Sequence, residues 1–228
     1  MKKLYSTSIL LFLAFAPLVV GQAKTYSINH NNFSLETHQM NDYESDRISD
    51  GLEVVDLYRG KRKLLSHILF KEEGDCSSVT IQLGDYFVEN NNIIFYSYWA
   101  SADRMPSNLK FGFQKQVYSV ADNGIVRLES SKIYIEDVVE TANPDFVIGH
   151  GWTHRGIAYL NKQPTTDEEK MWLADYIKSV EKQYKAKFVF GEERKALEKE
   201  VREKLKEKIF EYTNDWDTYK EAYGESRK

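Results

Sequence analysis

A single cysteine, Cys76, among 228 residues excludes an intramolecular disulfide, so the fold must be held by its core alone. Long apolar runs are also lacking. A bilayer span takes about 20 consecutive apolar residues, whereas the longest run here, Ile9 to Val20, has twelve and is interrupted by Pro17. Basic clusters do not dominate: 31 Lys and Arg face 35 Asp and Glu, for a net charge of −4. That balance disfavours nucleic acid and anionic lipid as principal partners. A G-x-S-x-G elbow, an H-E-x-x-H pair and a Walker loop are all missing, so no motif encodes a catalytic centre and no cofactor is implied.

What is present begins at the N-terminus. Lys2 and Lys3 precede the apolar run, which closes on Gly21-Gln22-Ala23, the pattern of a bacterial export signal with small residues at the cleavage point. Cutting after Ala23 predicts a mature chain of about 205 residues carrying a net charge of −6, located in the periplasm or outside the cell. Cys76 lies too far from that point to receive a lipid anchor. A soluble product without stable membrane insertion is expected.

Three regions follow: the signal (1–23), a β-rich domain with irregular ends (24–164), and a helical C-terminal region (165–228) packing on the sheet or projecting. β-branched and aromatic clusters predict strands near 52–58, 62–70, 78–88, 93–100, 111–120 and 125–136. Arg59-Gly60, Asn90-Asn91 and Asn123-Gly124 supply residues that tolerate the positive φ of two-residue hairpin turns. The polar segment 29–50 is expected to be loop with one or two edge strands. Pro164-Thr165-Thr166 followed by Glu169 predicts a capped helix ending near Lys187, with Leu173, Ile177, Val180 and Tyr184 on one face. Phe188 to Phe190 fits a last helical turn or a short strand. From Glu192 to Tyr212, Leu197, Val201, Leu205 and Ile209 draw one apolar stripe along a second helix. The expected class is α+β: an antiparallel meander of about six or more strands followed by two C-terminal helices.

Candidate chemistry is sparse. His150 and His154, four residues apart, have metal-ligand spacing on a helix, but Gly149, Gly151 and Gly156 argue against one, and His30, His38 and His67 are merely available as further ligands. A structural role is favoured. Cys76, with His67 upstream, lacks any cysteine-hydrolase signature and reads as a small buried residue. Asp56, Asp85, Asp103 and Glu136 are carboxylates from which no acid/base pair stands out.

Alternation puts Ile93, Phe95 and Trp99 on one sheet face and Ile94, Tyr96 and Tyr98 on the other, predicting a central strand with both faces covered. The structural expectation is that these rings are core. The functional expectation is a binding surface formed by Tyr96, Tyr98 and Trp99, with Asp103 and Arg104 at its rim and Trp152 as a further aromatic. The sequence thus favours a non-enzymatic exported module that binds an unidentified protein, glycan or small apolar ligand. The alternatives are a secreted hydrolase without a motif and a cell-envelope accessory protein docking through its charged C-terminal helix.

Overall fold

The computed structural model describes residues 23–41, 51–75, 78–103, 111–136 and 166–212. These residues form one sheet, in the order β1 (Ala23–Ile28), β2 (Asn31–Asn41), β3 (Gly51–Arg59), β4 (Arg62–Asp75), β5 (Ser78–Glu89), β6 (Asn92–Asp103), β7 (Phe111–Val120) and β8 (Val126–Glu136), each antiparallel to the next. Helix α1 (Asp167–Tyr184) leads to the two-residue strand β9 (Lys187–Phe188), which adds parallel to β8. Helix α2 (Gly191–Lys204) follows, and after Leu205 a short helix α3 (206–212). The α+β meander read from the sequence is therefore the fold.

Segment 29–50 is the first difference. It holds the whole of β2, which is not the edge strand expected there, because β1 starts upstream at Ala23 and pairs along its outer side. Phe33 and Leu35 are fully buried while Ser34 and Glu36, which alternate with them, are only partly so. A strand with one wet face has low overall hydrophobicity and so reads as an edge strand even where it is paired on both sides.

Turn chemistry fixes one end of the sheet. Asn29-His30 and Asn90-Asn91 both take positive φ at each residue, as a type I′ hairpin requires. The β3–β4 turn centres on Gly60-Lys61, with Arg59 still in its strand. Residues 121–125 do not form the two-residue turn that Asn123-Gly124 suggested. Ala121 N donates to Ile125 O (2.9 Å), Gly124 N to Ala121 O (2.7 Å), and only Gly124 has positive φ. That is a three-residue loop, a type I turn closed by a left-handed residue.

The sheet curls. Gly84 marks a point of close strand approach, since a Cβ there would lie 2.5 Å from Ile68 O. At the hairpin end Asn29 Nδ2 donates to Val120 O and Asn31 Nδ2 to Asp122 O (2.8 Å), so the first turn meets the last. The inner face buries Phe33, Leu35, Val55, Leu57, Leu69, Ile93 and Phe95 as one core. A second core wraps the β8 edge, with α2 against Tyr98, Phe113 and Tyr134 and the end of α1 beside Trp99.

The helices form as their sequence dictates. Thr166 caps α1, accepting from Glu169 N while Glu169 Oε2 accepts from Thr166 N, the reciprocal capping box. The helix stops three residues before Lys187 because Lys185 adopts the left-handed conformation that ends many helices. On α2 and just beyond it, Leu197, Val201 and Leu205 are buried against the sheet. Each such burial is worth roughly 2 kcal/mol, so the apolar stripe faces the sheet of its own chain.

Candidate functional site

The β3–β4 and β7–β8 hairpins flank a half-open cavity of about 360 Å³, with Leu64, Leu65, Tyr118 and Val126 as its apolar wall and Arg59 and Arg62 at its polar side. The four wall residues pack against the inner core, so the cavity is an extension of the concave face toward solvent. Ile125 completes the lining and is 45% exposed. Pockets that hold small molecules span ~300–1,000 Å³ and combine apolar walls with a few placed polar groups; this one matches at the small end.

Arg59 is fixed in place. Its Nη1 donates to Asn123 O (2.8 Å) and its Nη2 to Asn31 Oδ1 (3.1 Å), and Gly124 lies against the guanidinium, where an added Cβ would stand 2.3 Å from Cζ. Arg62 is its direct cross-strand partner. Among the described residues Arg62 makes no side-chain hydrogen bond or ion pair, and no carboxylate comes within ion-pair distance of either arginine. Asp122, the acid of the adjoining turn, is exposed and contributes its carbonyl to Asn31. Like charges set opposite each other oppose strand pairing. The cavity mouth thus concentrates uncompensated positive charge beside an apolar wall.

Two further polar groupings carry structure. On the outer face of β2–β4, Asp56 accepts from Ser66 Oγ (2.5 Å), Lys63 Nζ (3.0 Å) and Tyr58 OH (3.3 Å), with His38 Nε2 at 3.6 Å. Burial pushes the Asp56 carboxyl up, but the Ser66 and Lys63 bonds outweigh it and hold it below the usual range. A carboxylate so supplied with donors is neither a free base nor a nucleophile. On the inner face His67 Nε2 lies 3.2 Å from Ser97 Oγ, with its ring 4.4 Å from Phe95. Burial lowers the imidazole to about 4, and Ser97 is 1% exposed, out of reach of a substrate.

The residues singled out in the sequence are placed as follows. Tyr96 and Tyr98 lie beneath α2: Tyr96 OH donates to Glu200 Oε1 (2.7 Å), and Arg202 stacks 5.3 Å over the Tyr98 ring. Trp99 packs edge-on against Tyr184 at 5.6 Å. All three are core, on opposite faces, and do not converge on one surface. Asp103 ends β6, opposite Ser78. Arg104, Cys76, His150, Trp152 and His154 lie outside the described residues. His38 and His67 fall on opposite faces, and no group of three metal-ligating side chains occurs among the described residues. Arg59 and Arg62 are not among the residues the sequence singles out, where Arg59-Gly60 reads as a turn and Arg62 as the start of a strand, although Arg59-Gly60-Lys61-Arg62-Lys63 is an evident cationic run. Comparison of the chain with known protein families, with curated proteins and with solved structures finds no match.

Proposed function

We propose that this protein is an exported, non-enzymatic binding module, and that its ligand is a small, largely apolar molecule held in the cavity between the β3–β4 and β7–β8 hairpins. The observation that carries the reading is a preorganised arginine at the mouth of an apolar cavity continuous with the inner core. Preorganisation lowers the cost of ordering the site when a ligand arrives. The saturated Asp56 cluster and the enclosed His67–Ser97 pair support binding rather than hydrolysis. Export rests on Lys2, Lys3 and the apolar run ending at Val20.

N-phenyl-1-naphthylamine, a neutral apolar fluorophore, tests the site. The mature chain should bind it saturably at one equivalent, and Val126→Trp, which fills the cavity, should abolish the signal. Ile125→Asp, at an exposed position that leaves the core intact, should weaken it about tenfold. No saturable binding by the parent chain, or binding unchanged in both variants, would reject the cavity as the site. Export is tested by expressing the full chain in a bacterium: material outside the cytoplasm should begin near Lys24, and a retained leader overturns it.

A further inference from the structure

We infer that the ligand of this cavity is a single-chain amphiphile whose polar end is an anion bound by Arg62 beside Arg59; this rests on the binding reading above and specifies its ligand class. Arg59 and Arg62 face each other directly across the β3–β4 turn, and both line the cavity. Arg59 has committed two of its donors to Asn123 and Asn31, so it is a fixed cation. Arg62 has no partner among the described residues, so its full fork of donors is available, and a guanidinium fork matches a carboxylate in two parallel bonds. An anion between them would relieve their mutual repulsion. The apolar wall of Leu64, Leu65, Tyr118 and Val126 then takes the hydrocarbon. A neutral apolar ligand would leave the two guanidinium groups facing one another, whereas a carboxylate on a short alkyl chain satisfies both parts of the site.

Displacement of bound N-phenyl-1-naphthylamine by decanoate and by decanol separates the outcomes. On the parent chain decanoate should displace the probe at about tenfold lower concentration than decanol, the effect of ~1.4 kcal/mol. Arg62→Gln should bring the two within about twofold, each displacement being taken relative to that variant's own probe affinity. Arg62→Lys, which keeps the charge but loses the fork, should retain part of the preference. Lys61→Gln removes an equal charge from the same turn without touching the lining, and should keep the full preference. Equal displacement on the parent chain, or equal losses from Lys61→Gln and Arg62→Gln, would overturn the anion assignment. If the probe itself does not bind, the cavity reading fails instead.

Discussion

The Arg59 guanidinium occupies the space in which any side chain at position 124 would begin: a Cβ on Gly124 would lie 2.3 Å from Arg59 Cζ and 2.4 Å from Nη1. Gly124 also has φ of +74°, and it is this backbone conformation that selects glycine, since the overlap falls on the tip of a side chain that can shift. The substitution Gly124→Ala should cost about 1–3 kcal/mol from backbone strain alone and displace Arg59 as well. Urea denaturation should show the lowered midpoint, and probe binding should weaken in the fraction that remains folded.

The pair Glu200 and Lys115 gives a second expectation. Burial raises the Glu200 carboxyl, but the bonds from Lys115 (2.6 Å) and Tyr96 (2.7 Å) outweigh it and hold the group below its ordinary 4.5. A depressed folded-state value means the stabilisation is complete above the unfolded value and lost as pH falls through the folded one. Because Glu200 is 39% exposed, solvent screening keeps the contribution below about 1 kcal/mol. Glu200→Gln should be less stable than the parent at pH 7, and the difference should shrink as pH falls below 4.5, by urea titration at a series of pH values.

For His67 the window lies higher. Its imidazole falls from 6.5 to about 4 through burial, so the unfolded chain takes up a proton before the folded one does. Stability should therefore decline as pH drops from 6.5 toward 4, by on the order of 2 kcal/mol. His67→Gln, which keeps a polar partner for Ser97, should flatten that decline relative to the parent in thermal melts across the range.

Tyr98 is 9% exposed and lies beneath Arg202 and beside Phe113. Tyr98→Ala should cost ~3–4 kcal/mol, as large-to-small changes in aromatic cores do. Tyr98→Phe should stay within about 1 kcal/mol and bind N-phenyl-1-naphthylamine as the parent does. Weakened probe binding by the folded Phe variant would return the site to the sheet beneath α2.

Much of this fold is local and therefore legible in sequence. The strands from β3 to β8 announce themselves by alternation, α1 by its capping box at Thr166 and Glu169, and α2 by the spacing of Leu197 and Val201. Strand β2 was obscured because its outer face meets water, leaving Phe33 and Leu35 as its visible anchors. The 121–125 loop was misjudged because Asn-Gly suits both a two-residue turn and a left-handed closure after a type I turn. The rings at Tyr96, Tyr98 and Trp99 all enter the core that wraps the β8 edge, so aromatic residues on both faces of a central strand mark buried packing sooner than an open surface. The cationic run from Arg59 to Lys63 is visible in the sequence, but the candidate site is not, because the placing of Arg59 depends on Asn31 and Asn123, 28 and 64 positions away. Only the curl of the sheet brings them together.

The unbroken order of strands from β1 to β8 has a bearing on how the chain reaches its native state. Since each strand hydrogen-bonds to the one that follows it in the polypeptide, the sheet can zip up hairpin by hairpin, with little loop-closure entropy to overcome at each step. The distant contacts, Asn29 with Val120 and Lys204 with Glu89, join segments 91 and 115 positions apart. They are the slow, nonlocal part of the topology, and assembly of the cavity mouth waits on the first of them.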